Sequence, residues 1–356
     1  MTRAAIVGAG FIARTHAQVL KEMNVETVLV VAESQAEASA FAAEYGIGAA
    51  SDDFGEIFRY MPDCVHICTP PSLHYEQLRQ LIEKGINVFC EKPLCLTVKE
   101  AEDITRLAED ENVLTGMDFN VRYHTGVQQI RYRIRNNEAG KLYLVHGTYL
   151  QEFHVMPCPY GWRYQSEHAG RMRAVTEIGS HWMDLFEYIT GQKITEVSSV
   201  FIKTAEPRTV KDGMLVKAEQ GEKTVEVDTE DGALIHFRTD QGTAGSIVLS
   251  EISAGRVNYL SMEFCGENET LRWNSEEPNT VYTGVLHQGT NAVTDPFAGG
   301  FADTQRKLFR AFYDDLEGKG SEGTYPTLRD GLRNVRLCEA VYQSAVSGKW
   351  CRTEEI

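Results

Sequence analysis

Glu177, His181 and Asp184 lie four and then three residues apart in the run Glu177-Ile178-Gly179-Ser180-His181-Trp182-Met183-Asp184. On a helix, that spacing puts all three on one face. A histidine titrates near neutrality, so it can accept the proton of a hydroxyl whose carbon gives up a hydride. An acid one turn away can orient the ring or bind a neighbouring hydroxyl. The same residues also suit a satisfied core histidine in a helix pair that only supports the fold. With His154 or His168 added, the nitrogen and carboxylate ligands make a cation site a third reading. No second histidine stands four residues beyond His181, and metal-free acid/base chemistry ranks above the metal.

A different chemistry is written in Ala4-Ala5-Ile6-Val7-Gly8-Ala9-Gly10-Phe11-Ile12-Ala13. A short apolar run enters a Gly-x-Gly-x-x-Ala turn, and Ile12, His16, Val19 and Leu20 then recur at helical spacing. Strand, tight turn and helix start, in this order, form a dinucleotide fingerprint. Gly8 permits the turn, Gly10 lets the backbone approach a pyrophosphate, and Ala13 lets the helix sit close to the strand. Phe11 and Ile12 fall at the amino end of the helix, whose N–H groups and positive dipole suit a diphosphate. A turn that merely needs small residues is the plainer alternative. Residues 27–32 read as the second strand, whose end normally carries an acid for the adenosine ribose. Glu33 is the nearest acid, one place late, and no Arg or Lys follows to meet a 2′-phosphate. NAD is therefore favoured over NADP. Alternatively, Glu33 caps the helix over residues 35–45.

These residues need a scaffold. Residues 64–68 read as a strand that enters Thr69-Pro70-Pro71-Ser72-Leu73-His74. Two prolines end the strand and fix a rigid loop, with Ser72 able to cap a helix that runs to Lys84. Residues 87–90 form the next strand, followed by Glu91-Lys92-Pro93-Leu94. Pro93 keeps Lys92 out of helical geometry, and its own peptide bond can be cis or trans. A lysine at such a strand end can aim its ammonium into a cofactor cleft, or simply be solvated. A helix over 98–109 and a strand over 113–118 continue the alternation. Strands alternating with helices predict a parallel sheet covered on both faces, which binds ligands at its carboxyl edge.

After a basic helix over 124–135 the pattern changes. Strands are expected at 143–149, 196–203, 233–238, 245–251, 259–264 and 269–273, between Gly, Asn or Asp turns. Short connections imply a mostly antiparallel sheet with one face open to a partner. Residues 210–222 read as a long loop or hairpin, and 301–316 and 327–347 as amphipathic helices. An aromatic loop, Pro157-Cys158-Pro159-Tyr160-Gly161-Trp162-Arg163-Tyr164-Gln165, suits stacking against a sugar or a cofactor, or plugs a long loop. Gln151, Glu152, His154 and Arg173 are further candidates for the substrate pocket.

Composition bounds these readings. The 356 residues allow two domains with sizeable cores. A net charge of −16 argues against nucleic acid or an anionic membrane as partner. No apolar run is long enough to span a bilayer, and the first residues enter a strand directly, so no leader is expected. Among eight scattered cysteines, Cys64, Cys68, Cys90 and Cys95 lie in or beside strands. They read as buried small apolar residues in a reducing compartment, which points to the cytoplasm.

Gly8-x-Gly10-x-x-Ala13, Thr69-Pro70-Pro71-x-x-His74 and Glu91-Lys92-Pro93-Leu94 occur in order at domain-like spacing, with Phe119-Asn120-x-Arg122-Tyr123 at the junction. Together they resemble the Gfo/Idh/MocA family of NAD(P)-dependent oxidoreductases. The resemblance is strong to about residue 149 and is confined to short motifs beyond. It implies an α/β Rossmann domain with a parallel sheet over 1–121. An α+β domain with a large, mostly antiparallel open sheet would follow over 122–356 and make homodimer or homotetramer contacts. It places the cofactor against Gly8, Gly10, Phe11, Ile12, Ala13, Glu33, Thr69, Pro70, Pro71, His74, Glu91, Lys92, Asn120, Trp162 and Arg163. It places a sugar, glycoside or polyol against Lys92, Tyr123, Glu152, His154, Arg173, Glu177, His181 and Asp184. His181 is implied as acid/base, and Lys92 as the group that polarises the reacting hydroxyl. Glu177 stands where the family pattern carries Asp, which opens its role. No metal is expected. A keto-sugar or imine reductase, an enzyme that recycles tightly bound NAD without net redox change, and an NAD-sensing scaffold are the alternatives.

Overall fold

The computed structural model describes residues 2–297, 299–320 and 324–356. The chain forms two units, one holding Met1–Tyr123 and Gly300–Val335, the other His124–Gly299 and Arg336–Ile356.

The first unit alternates β1 (Arg3–Val7), α1 (Phe11–Glu22), β2 (Glu26–Val31), α2 (Gln35–Tyr45), β3 (Ala50–Ser51), α3 (Ile57–Tyr60), β4 (Cys64–Ile67), α4 (Pro71–Ile82), β5 (Asn87–Cys90), α5 (Val98–Asp110) and β6 (Thr115–Met117). Its sheet is parallel throughout, in the order β3-β2-β1-β4-β5-β6. The order reverses between β1 and β4, so the loops after these strands flank the switch point where such sheets take ligands. Buried on both faces, the strands carry near-continuous apolar runs such as Ala4–Val7 and Val28–Val31. Cys64, Cys68, Cys90 and Cys95 are buried here as expected.

The second unit opens with α6 (Thr125–Arg135) and β7 (Leu142–Leu150), then β8 (Cys158–Pro159), α7 (Ser166–Ala169) and α8 (Ser180–Thr190). The strands β9 (Ile194–Ile202), β10 (Arg208–Lys211), β11 (Met214–Lys217), β12 (Gly232–Thr239), β13 (Ala244–Ser250), β14 (Tyr259–Gly266), β15 (Thr270–Asn274), β16 (Thr280–Val285) and β17 (Gly289–Thr294) follow. The chain ends with α9 (Phe301–Leu316), α10 (Leu328–Ser347) and β18 (Cys351–Arg352). The main sheet runs β17-β16-β15-β14-β7-β13-β12-β9-β18, and of its pairs β13 with β7 is parallel. The loop or hairpin expected over 210–222 is in part the β10–β11 hairpin over 208–217, which pairs with β8. The β16–β17 hairpin was not foreseen: its strands have no buried-exposed alternation to mark them. One row of the main sheet exposes Val200, Leu234 and Val248 on adjoining strands.

The units do not follow the single crossing expected at 121/122. Residues 300–335 belong to the first unit because α9 inserts Leu308, Phe309, Phe312 and Tyr313 among Ile6, Phe41 and Phe89. An amphipathic helix shows in sequence that it has an apolar face, but not which core takes it. Among the described residues, no helix is long and apolar enough to cross a membrane.

Candidate active site

β1 turns at Gly8, whose φ is +106°. A Cβ there would stand 2.7 Å from the Cys68 carbonyl oxygen, so the conformation and the space both require glycine. At Gly10 a Cβ would meet nothing within 4 Å, which leaves the backbone open to a ligand. Gly10 caps α1 without a side-chain hydrogen bond. Ala13 is fully buried, Ile12 half-buried and Phe11 exposed. A glycine cradle beside an uncapped helix start fits a dinucleotide diphosphate. Glu33 is exposed just past β2, and capping of α2 falls instead to Ser34, which accepts the Glu37 N–H at 3.3 Å.

The second strand-end loop is shorter than expected. Pro70 is the N-cap of α4 and Pro71 its first residue, so Ser72 lies inside the first turn and is not the cap. Thr69 donates its hydroxyl to Gln77 Oε1 at 2.6 Å. His74 is fully buried, with Nε2 2.8 Å from the Thr69 carbonyl and Nδ1 2.9 Å from the Pro93 carbonyl. It therefore ties the Thr69 and Pro93 loops together and is sealed from any cofactor. Burial lowers its pKa even against these carbonyls. Lys92 is half-buried where the chain leaves β5, and the Lys92–Pro93 bond is cis. Glu91 turns its carboxylate inward to His16, away from the role expected of it. Asn120 is buried and donates to Thr304 at 2.9 Å, which holds α9. Tyr123 donates its hydroxyl to the Thr324 carbonyl at 3.0 Å.

In the second unit the Glu177–Asp184 run is not one α-helix. Residues Val175–Gly179 form a π-helical turn that leads into α8. Such turns tend to mark functional sites. The turn packs closely at Gly179, where a Cβ would lie 2.6 Å from the Leu249 side chain of β13. His181 is half-buried at the start of α8, its ring 6.4 Å from that of Tyr149, and Asp184 is buried one turn on. The Glu177 carboxylate faces Arg163, whose Nε lies 2.9 Å from Oε1 and 3.0 Å from Oε2. The Arg163 guanidinium also covers the Trp162 ring at 4.5 Å. The aromatic loop thus anchors an arginine on Glu177.

Arg173 is not placed to meet a substrate. It is fully buried, with Nε 2.7 Å from Glu251 Oε2 and Nη2 2.7 Å from Asp231 Oδ1. Asp231 also takes Arg208, and Glu230 accepts the N–H groups of Arg173 and Val175. Burial and the Glu177 charge push Glu251 up to about 8. Burial and the nearby Arg173 and Arg163 hold His154 down at about 3, and the ring is hydrogen bonded to Tyr164. Glu152 accepts the Gly255 N–H at 2.7 Å, and Gln151 donates to Asn258 at 2.8 Å. The cation set foreseen from sequence does not assemble as such. Ligand atoms of His154, Glu177 and Glu251 do lie within 4.8 Å of one another, but Arg163 and Arg173 already hold the two carboxylates. Sequence reasoning passed over Glu230, Asp231 and Glu251, and over the buried His16, His66 and Asp118. A polar residue on the buried face of a helix was the available signal for His16.

Two family models match the chain: the oxidoreductase family's NAD-binding Rossmann fold over residues 2–119, and its C-terminal alpha/beta domain over 131–353. A levoglucosan dehydrogenase of Pseudarthrobacter phenanthrenivorans is 27% identical, covering 99% of this chain and 98% of its own. A D-glucoside 3-dehydrogenase of Escherichia coli is 29% identical, covering 97% and 96%. A levoglucosan dehydrogenase solved with NADH and L-sorbose shares the fold, with a TM-score of 0.89 at 23% identity over 99% of this chain and 98% of that one. The matches take in both units and the strand-end loops alike, and they make this chain an NAD-binding member of the Gfo/Idh/MocA oxidoreductase family.

Proposed function

We propose that the protein oxidises a ring hydroxyl of a sugar, glycoside or polyol with NAD. The observation that carries this reading is full-length likeness to a levoglucosan and a glucoside 3-dehydrogenase, together with a half-buried lysine at the carboxyl end of β5. Bound NAD supplies the hydride acceptor. The N–H groups at the start of α1 hold the diphosphate, with Gly8 and Gly10 giving it room and Glu33 meeting the ribose. Lys92 donates a hydrogen bond to the reacting hydroxyl oxygen and stabilises the negative charge that develops there. The His181 imidazole takes the hydroxyl proton. Glu177, steered by Arg163, accepts a hydrogen bond from a neighbouring hydroxyl, and Asp184 supports the same helix face. Self-association through the main sheet of the second unit belongs to this reading, supported by its exposed Val200, Leu234 and Val248 row.

The test is absorbance at about 340 nm, the band of reduced nicotinamide, with NAD and a panel of sugars, glycosides and inositols. Lys92→Ala and His181→Ala run in parallel. Reduced cofactor that appears with one substrate class and is lost in both variants supports the reading. No reduction with any alcohol sinks it.

A further inference from the structure

Behind Lys92 the first unit buries a chain of titratable groups that the proposed reaction does not use. His16, in the second turn of α1, is fully buried. Its Nε2 lies 3.1 Å from Glu91 Oε1 and 3.2 Å from Asp118 Oδ2. Its Nδ1 lies 2.9 Å from His66 Nδ1 and 3.3 Å from Cys68 Sγ. Gln305 of α9 donates to Asp118 Oδ2 at 2.8 Å, and His66 Nε2 lies 2.9 Å from the Tyr313 hydroxyl. The rings of Phe89 and Phe309 close the site, 5.9 and 4.8 Å from that of His16. On its other oxygen, Glu91 Oε2 stands 3.3 Å from the Lys92 backbone nitrogen.

Two buried carboxylates converge here on one ring nitrogen. Buried carboxylates need a counter-charge, and His16 is the cation that the fold sets against both. With Nε2–H shared between Glu91 and Asp118, Nδ1–H points at His66 Nδ1, which must then offer its lone pair. His66 Nε2–H is left to donate to Tyr313. Every ring nitrogen has one role, and the extra proton sits on His16. Burial opposes that charge, but Cys68, Asp118 and Glu91 hold the His16 pKa well above the ordinary value. Burial and the His16 charge push His66 well below it. The ligand atoms of His16, Glu91 and Asp118 also lie within 4.8 Å of one another, as a metal site would require. A tetrahedral zinc with bonds of about 2.0–2.2 Å would hold its ligand atoms about 3.4 Å apart, close to the spacings here, so zinc retention is one of the outcomes the test below separates.

We propose that His16 is a positioning residue for Lys92: its imidazolium clamps Glu91 and so fixes the Glu91-Lys92-Pro93 turn against α1, the helix whose amino end meets the dinucleotide. The clamp explains why the Glu91 side chain faces inward while Lys92, its neighbour, stays partly exposed. It also ties the reacting hydroxyl's hydrogen-bond donor to the element that seats the cofactor. The proposal rests on the role given to Lys92 above.

Nitrogen-15 spectra of the histidine rings in the wild-type protein give a readout that needs no turnover. At about pH 8, well above an ordinary histidine pKa, His16 is expected to be protonated on both nitrogens and His66 on one. His16→Gln keeps an N–H for the carboxylates but no charge. It is expected to lower kcat on the order of 10- to 100-fold, the effect of about 1 Å of misplacement, with KM for the alcohol unchanged. Its pH–rate profile should also move, since Glu91 then holds its proton to higher pH. Glu91→Gln should lower kcat similarly, and the double variant no further. A neutral His16 at about pH 8, zinc retained through chelator dialysis, or a wild-type kcat and pH profile in His16→Gln beside an inactive Lys92→Ala would each overturn the proposal. Full activity in Lys92→Ala would instead remove the role of Lys92, and the clamp's purpose with it.

Discussion

Replacing Arg173 by Met separates a structural arginine from a substrate-binding one. The guanidinium bonds Glu251 and Asp231, both at most 1% exposed, and covers the Tyr164 ring at 4.8 Å. Asp231 keeps Arg208 at 2.7 Å when Arg173 is lost, whereas Glu251 is left with the His154 ring, whose Nε2 lies 3.8 Å from its Oε2. Breaking a buried pair by removing one partner costs about 3–5 kcal/mol. For a folding unit of this size each kcal/mol moves Tm by about 2–4 °C, so a fall of about 6–20 °C is expected. The loss should depend on pH in a fixed direction. Glu251 already has a raised folded pKa, and without Arg173 it rises further. A carboxyl raised above its unfolded value near 4.5 contributes stability that is complete below that pH and lost as pH rises through the folded value. The variant should therefore melt closest to wild type near pH 5 and furthest from it near pH 9, in scans without substrate. Well below the melting range, KM for the alcohol should be unchanged. A variant with wild-type Tm and a raised KM would refute the argument and return Arg173 to the substrate pocket.

Gly8→Ala forces a side chain into φ +106° with its Cβ 2.7 Å from the Cys68 carbonyl. NAD affinity, followed by fluorescence titration, should fall by on the order of tenfold or more, because the left-handed strain alone is about 1–2 kcal/mol. Unchanged affinity would mean the turn is not the diphosphate cradle. His154, held down at about 3 in the fold, takes its proton near 6.5 when unfolded. It thus contributes stability that is present above pH 6.5 and lost as pH falls toward 3. His154→Gln should flatten the acid limb of Tm against pH, and an unchanged limb would contradict the assignment. Leu234→Asp puts a charge in the exposed Val200 and Val248 row. Sedimentation should show a smaller assembly than wild type, and an unchanged one would clear this face of any role in association.

The first unit was legible because its signals are local. Buried parallel strands read as short apolar runs, and the glycine turn needs residues that only one geometry explains, as Gly8 shows. Even the helix boundaries at Gln35 and Val98 follow from capping residues beside them: Ser34, and Thr97 with Glu100. The assignment of residues 300–335 to this unit was not legible. It depends on Phe309 and Phe312 meeting Phe89 across more than two hundred residues, and no local pattern encodes that partner. The β16–β17 hairpin escaped for the opposite reason. Val281 is its one buried residue, so its strands lack the alternation that marks a half-buried sheet.

The site residues divide along a related line. Gly8, Gly10, Lys92 and His181 stand at positions that a short motif fixes, and the structure leaves each at least partly open or lining an open turn. His74, Glu91, Arg173 and His154 belong to the same motifs or loops, yet their polar atoms are spent on the protein itself. Residue type alone could not separate the two groups, because a histidine that binds ligand and one that ties two loops obey the same spacing. Burial separates them. A charged group sealed from water must find its counter-charge within the fold, so Arg173 implied buried acids nearby and Glu91 implied a buried cation. Of those partners, Glu251 and Asp231 for the first carry no motif, and His16 for the second shows in sequence only as one member of the α1 pattern. In the first unit that requirement does more than satisfy a charge. The cation comes from α1 and the acid sits next to Lys92, so the same ion pair that makes Glu91 tolerable inside the core also fixes where the lysine beside it can stand.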